Sequence, residues 1–334
     1  MTNTFGCNHT GSRGYVSALC SPDKETMRTI AYIGNFEPFW STENHVKLSL
    51  EELGHKVIPL QENKVTAEVV HGIVANEHAD LLLWTRTWGL RGDGFEMLRR
   101  LPCPSAAFHL DLYAGLDRAA TLPSEPWWKC SFVFTADGGS EDFWHEHGVN
   151  HFWSPPGVYS QECYRADPDP AYVQDVIFTG SYGYHKEWPY RPELIDRLRA
   201  HYGSRFTLYE HSSRMRGHRL NVLYASARVV VGDSCCLGFN HPYYWSDRIP
   251  ETLGRGGFLI HPRIHGIERH FREDVDLVLY DFNDWSQLYA KIDHYLHHPM
   301  QRKIIQRTGH DTVKSAHTYT HRMRVMLAMI NGRP

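Results

Sequence analysis

The chain has 334 residues, and at roughly 150 residues per domain that length points to two domains. Hydrophobic residues make up 42% and charged residues 22%, with a formal net charge of −3; this is the balance of a soluble globular protein, and it excludes attachment to nucleic acid or anionic lipid by bulk charge. No apolar run approaches the ~18 residues of a membrane span, and seven cysteines with no CxxC and no regular spacing argue against a disulfide framework or zinc ribbon and for a reducing, cytoplasmic setting.

Residues 1–26 are polar, lack the apolar stretch of a signal peptide and read as a poorly ordered tail, with Met27 as an alternative start. A regular pattern then begins. Residues 28–33 (RTIAYI) predict a buried strand ending at Gly34-Asn35, and 43–53 predict a helix with Val46, Leu50 and Leu53 on one face. Residues 55–60 predict a strand, 65–74 a helical stripe, 79–84 (ADLLLW) a strand and 94–100 a short helix. Strands at 104–109 and 131–135, a helix at 141–147 and a strand from 150 complete the first half. Strands apolar throughout and alternating with helices indicate a parallel sheet covered on both faces.

Pro155-Pro156-Gly157 breaks this pattern, and the Pro- and Asp-rich segment to Pro170 reads as an interdomain linker. The alternation restarts with strands at 175–179, 205–209, 227–231, 258–261 and 276–280, and helices at 192–202, 220–225 and 247–255. Three helices close the chain, at about 284–296, 299–308 and 312–330. The expected domains are 27–156 and 157–311, followed by a closing helix at 312–331. Two such α/β domains in tandem place a cleft between the carboxyl ends of their sheets, where open sheets bind ligands.

The densest group of polar and aromatic residues runs from Tyr243 to Phe258. Ser246 or Asp247 is a candidate N-cap, Pro250 lies in the first turn, and Arg248 and Glu251 are one turn apart. The residues alone fit either a capped helix with a surface salt bridge or a site in which helix N–H groups and Arg248 hold phosphate while Glu251 accepts ribose hydroxyls.

Three elements carry a family resemblance: Arg248-x-x-Glu251 followed by Gly256-Gly257, the loop Gly266-Ile267-Glu268-Arg269-His270-Phe271, and His317-Thr318-Tyr319 followed by Arg322. Together they resemble GT-B glycosyltransferases of the spore-maturation-protein (CgeB-like) type, with a C-terminal domain of the glycosyltransferase family 1 kind. The resemblance covers residues 157–331. It implies an α/β fold of two Rossmann-like parallel-sheet domains facing across a cleft. It also implies transfer of a hexosyl or pentosyl unit from a nucleoside-diphosphate sugar to a hydroxyl acceptor, retaining and without a metal or other cofactor. The implied donor site has Glu251 at the ribose, Arg248 with Ser246 and Asp247 at the diphosphate, and Gly180-Ser181 at a close approach to the donor. Lys186 or Arg191 would neutralise phosphate, and His211 follows a strand where the base is contacted. Relatives often have a second Glu where this chain has Tyr243; Tyr243, Tyr244 and Trp245 are either sugar- or base-facing aromatics or core.

In the first domain, Gly34-Asn35 is either a simple turn or a place where donor sugar or phosphate approaches. His109 and Asp111 end the 104–109 strand on one side; in similar enzymes a His there contacts the transferred sugar, and the other reading is satisfied polar groups near the core. The expected partners are a nucleotide-sugar and an acceptor that is a modified DNA base, a protein side chain or a surface glycan. Two rival functions use the same scaffold, a non-catalytic nucleotide-sugar binder and a sugar-nucleotide epimerase. Of the 23 histidines only His109 and His211 acquire roles; twenty-three added protons would swing the charge from −3 to +20, so acid is expected to stress the fold.

Overall fold

A computed structural model of the chain describes residues 27–85, 89–183, 190–235 and 243–332. The first sheet is built from β1 (Thr29–Gly34), α1 (Thr42–Glu52), β2 (Lys56–Gln61), α2 (Ala67–Asn76), β3 (Leu81–Thr85), α3 (Gly94–Arg99), β4 (Ser105–His109), β5 (Phe132–Thr135), α4 (Glu141–Glu146) and β6 (His151–Trp153). The second follows with β7 (Val176–Thr179), α5 (Tyr190–Tyr202), β8 (Phe206–Tyr209), α6 (His218–Ser226), β9 (Val229–Val231), α7 (Arg248–Gly254), β10 (Leu259–Pro262) and β11 (Val278–Tyr280). The chain ends in α8 (Trp285–His297), α9 (Pro299–Ala316) and α10 (Tyr319–Ile330).

Both sheets are parallel, ordered β2-β1-β3-β4-β5-β6 and β8-β7-β9-β10-β11. They share one layout, in which the first strand lies between the second and third. The strand order reverses direction at β1/β3 and again at β7/β9, and in doubly wound sheets the crevice outside such a switch point is where ligands bind.

Strand alternation sorts the first core into two layers. Ala31, Ile33, Leu82, Trp84, Ala107 and Val133 face α2, α3 and the Trp127-Trp128 turn. Ile30, Tyr32, Leu81, Leu83, Ala106 and Phe108 face α1 and the last helix, through Val46, Leu50, Tyr319, Met323, Met326 and Leu327. The chain's final helix thus completes the core of the sheet that its first strand began. A third cluster fills the second domain and also takes in Leu112 and Ala136, which lie just past β4 and β5. Trp153, at the end of β6, packs on Trp245 and His270 with ring centroids 5.4 and 5.2 Å away. The carboxyl end of the first sheet therefore meets the second domain.

The chain crosses between domains twice, and the crossings run side by side. Val158 bridges Thr318, the Tyr319 amide donates to the Val158 carbonyl at 2.9 Å, and a Cβ on Gly157 would come within 2.8 Å of the Thr318 and Tyr319 backbone. Arg322 clasps both, donating to the carbonyls of Pro155 (2.8 Å) and Ala316 (3.0 Å) and to His317 Nδ1 (2.7 Å).

One expected boundary is wrong. The break between the last two helices falls at His317-Thr318, where Thr318 caps α10, not at 309–311; residues 312–316 belong to α9, which packs on α7. Gly309 is no helix end. It lies inside α9 because any larger residue would strike the Asp276 carbonyl oxygen.

Candidate functional site

The second domain's switch point gathers charge from three separate parts of the chain. Asp233, two residues past β9, is fully buried. One carboxylate oxygen accepts from Arg191 Nε at 2.7 Å and the other from Arg248 Nη1 at 2.6 Å. Burial alone would raise its pKa, but the Arg248 and Arg191 guanidinium groups outweigh that and hold it below the ordinary carboxylate value. Arg248 also donates from Nη2 to the Thr179 carbonyl at 2.8 Å, and its guanidinium lies 4.7 Å from the Phe178 ring centre. Its Nε is buried with no hydrogen-bond partner. His261 Nε2 donates to the Asp233 carbonyl at 3.1 Å, and burial lowers the His261 pKa to about 4. Two guanidinium groups on one carboxylate leave a net positive charge at the carboxyl ends of β7 and β9.

The sequence placed Arg191, Arg248, Gly180, Ser181, Ser246, Asp247 and Glu251 in one site. The structure brings the first three together, but by way of Asp233, which the sequence reading passed over. Gly180 has φ +132°, and the space a Cβ would fill is taken by Arg248 Nη2, 2.6 Å away. The positive φ is what favours glycine there, and the Arg248 guanidinium packs into the space it leaves. Ser181 follows it, half-buried. The Ser246 hydroxyl donates to the Asp233 carbonyl at 3.3 Å, so it is not the helix cap; Asp247 is, with helical backbone and no side-chain capping bond. Lys186 lies outside the described residues. His211 opens a one-turn 3-10 helix after β8, His211–Ser213, and its side chain is also outside them.

Glu251 projects from the same helix, α7, into a second polar group. It accepts from Arg255 Nε at 2.5 Å. Arg255 further pairs with Glu162 of the linker and donates to Asn221 Oδ1 at 2.5 Å. The two carboxylates raise the Arg255 pKa against the opposing effect of burial. His45 of α1, in the first domain, lies 3.8 Å from Glu162; burial lowers its pKa despite Glu251 and Glu162 nearby. Glu251 therefore sits where linker, second domain and first domain meet.

The first-domain candidates are placed differently. His109 is 2% exposed and packs against Trp128 and Trp127, with centroids 4.8 and 6.1 Å away. Asp111 is half-buried in the turn after β4, and the buried Asp137 fixes that turn by accepting the Tyr113 and Ala114 amides, both at 2.8 Å. A Cβ on Gly34 would come 2.7 Å from Glu43 Cγ, so the close approach there is by α1. Asn35 Oδ1 accepts from Gln61 Nε2 at 3.1 Å. Tyr244 and Trp245 are core residues; Tyr243, with φ +69°, is stacked under Arg269 at 5.0 Å.

Two parallel-sheet α/β domains in tandem, the carboxyl end of the first sheet meeting the second domain, are the GT-B architecture. Residues 174–328 match the family model described as glycosyl transferase-like. No curated protein matches the chain. Solved structures do. An alpha-glucosyltransferase in complex with UDP-glucose and DNA containing an abasic site has a TM-score of 0.66 at 10% identity, covering 91% of this chain and 98% of its own. HepE of Anabaena, in complex with UDP and glucose, has a TM-score of 0.61 at 12% identity, covering 91% and 100%. A glycosyltransferase from Rickettsia africae has a TM-score of 0.61 at 12% identity, covering 91% and 98%. These likenesses show the fold. No helix among the described residues is long and apolar enough to cross a membrane.

Proposed function

We propose that the protein transfers a hexosyl unit from a UDP-sugar to a hydroxyl acceptor. The observation that carries this reading is the Arg191–Asp233–Arg248 cluster at the β7/β9 switch point. The diphosphate leaving group gains negative charge as the glycosidic bond breaks, and fixed cations aimed at that charge stabilise the transition state without reorganising. Asp233 pre-orients both arginines, and the cluster keeps one net positive charge for the diphosphate. Lys186 is proposed to add to it. Glu251 accepts the ribose hydroxyls, its second oxygen being steered by Arg255. Closure of the two domains excludes water and so disfavours donor hydrolysis.

UDP and a hexose are favoured because HepE and the alpha-glucosyltransferase share this architecture and are bound to UDP, glucose or UDP-glucose. The retaining outcome follows from the family resemblance, with the departing phosphate assisting attack on the same face. The acceptor is a modified DNA base, a protein side chain or a glycan; the alpha-glucosyltransferase that binds DNA keeps the first in play.

The test is a panel of nucleotide-sugars screened by thermal shift, followed by calorimetry on Glu251→Ala. A UDP-hexose is expected to raise the melting temperature of the wild type, and the variant to bind it at least tenfold more weakly. Unchanged affinity in a folded Glu251→Ala protein sinks the assignment.

A further inference from the structure

The loop between β1 and α1 presents two large aromatic side chains to solvent. Phe39 is 69% exposed and Trp40 39%, and their rings meet edge to face with centroids 4.7 Å apart. A single exposed aromatic is ordinary, but two adjoining ones leave a contiguous apolar surface uncovered. The loop that carries them is fixed on both flanks. Asn44 Nδ2 donates to the carbonyls of Phe36 and Pro38 at 2.8 and 2.9 Å, and the Ser41 amide donates to the Pro38 carbonyl at 2.9 Å. The Phe36 amide donates to Gln61 Oε1 at 2.7 Å, and the Phe36 ring packs edge-on against Tyr32 at 5.1 Å.

This loop leaves the carboxyl end of β1, beside the β1/β3 reversal of strand order, where doubly wound sheets bind ligands. It runs straight into α1, whose His45 lies 3.8 Å from Glu162, the partner of Arg255. The aromatic pair therefore stands just ahead of the contact that joins the first domain to the Glu251 group. The polar groups beside it are amides and carboxylates. Gln61 Nε2 donates to Asn35 Oδ1 at 3.1 Å. Glu43 packs against Gly34, and the Glu62 amide donates to the Gly34 carbonyl at 3.1 Å. The Lys64 ammonium is held by Glu37 at 3.1 Å.

We propose that Phe39 and Trp40 form a stacking platform for a neutral pyranose ring of a glycan acceptor. The inference rests on the transferase reading proposed above, of which it names the acceptor class. An aromatic face carries partial negative charge. One face of a pyranose is a patch of C–H groups whose hydrogens are partly positive, so the two stack and bury apolar surface on both sides. Asn35 and Gln61 supply amides of the kind that meet ring hydroxyls at the rim of such a site. The carboxylates of Glu37, Glu43 and Glu62 disfavour a nucleic-acid strand, whose phosphates draw their affinity from nearby cations. Because Asn44 and Gln61 hold the loop before any ligand arrives, little ordering entropy opposes the stacking.

Maltotriose, cellotriose and chitotriose are the probes, titrated into the full chain by calorimetry in the absence of donor. At least one is expected to bind saturably. Trp40→Ala and Phe39→Ala, both at exposed positions, are expected to weaken that binding at least tenfold, and Trp40→Phe, which keeps an aromatic face, to stay within threefold of wild type. UDP affinity is expected to be the same in all three variants. No saturable binding of any trisaccharide overturns the proposal, and so does an unaltered affinity in Trp40→Ala. Single-stranded DNA bound through Phe39 and Trp40 also overturns it, by making the pair a nucleobase platform. A dimer in sedimentation that Trp40→Ala dissociates overturns it as well, by making the pair a self-association surface. A trisaccharide that binds through the pair while no UDP-hexose binds supports the platform and sinks the transferase reading alone.

Discussion

Asp233 shows how one buried charge organises a surface it never reaches. Its carboxylate is taken up by Arg191 and Arg248, so each guanidinium has a fixed plane and direction. Asp233→Asn keeps the volume and removes the charge, leaving two arginines facing a neutral amide. Breaking a buried ion pair by removing one partner costs about 3–5 kcal/mol, so denaturant melts are expected to show a loss of about 3 kcal/mol, and any donor affinity should fall with it. A stability unchanged within error would mean that the arginines find other partners. The residue escaped the sequence reading for a definite reason. Gly232-Asp233 follows an apolar strand as an ordinary turn would, and nothing local says that arginines 42 and 15 positions away converge on it. Arg248, Glu251, Arg191 and Gly180 were legible because they lie in short motifs or at strand ends. Glu162 and Arg255, which brace Glu251, were not, since the linker's acids look like any solvated acids.

At the scale of elements, α9 and α10 carry the lesson. Gly309 and the polar residues around it look like a helix end, because glycine costs about 1 kcal/mol in a helix relative to alanine. Tertiary packing overrides that preference. The helix passes so close to Asp276 that only a hydrogen fits. Gly309→Ala should therefore reverse the usual sign: overpacking of about 1–3 kcal/mol outweighs the gain in helix propensity, and the thermal midpoint is expected to drop. A rise would show that α9 can shift freely. The true break, at His317-Thr318, is set by the crossing strand at Val158 and by the Thr318 cap. His317 and Arg322 belong to the motif that carries the family resemblance. Their structural work is to clamp the two crossings together, which requires residues 155–158 and 317–322 to be neighbours in space.

At the scale of the whole molecule, the histidine excess becomes a statement about pH. His261, His270 and His321 are each pushed to about 4, chiefly by burial, against about 6.5 in an unfolded chain. Between those values the unfolded state binds more protons than the folded one, so stability falls as pH drops through the window from about 6.5 to about 4. For a fully buried histidine such as His261 the loss at pH 5 is about 2 kcal/mol, from ~1.4 kcal/mol per pH unit over about 1.5 units. Thermal melts from pH 7 to pH 5 are expected to show a steadily falling midpoint; a flat profile would refute the buried-neutral assignment.

The sequence by itself determined the two parallel-sheet domains, the order of their strands and helices, and the segment that holds Arg248 and Glu251. Those features rest on periodicity and on short motifs, which are local and survive in a one-dimensional reading. Only the tertiary structure decided that Asp233 joins Arg191 to Arg248, that His109 lies beneath Trp127 and Trp128, and that Gly180 and Gly34 make room for protein side chains. Each of these depends on which groups the fold brings within a few ångströms of one another. Coulomb attraction, steric exclusion and desolvation act over those distances, not over distance along the chain.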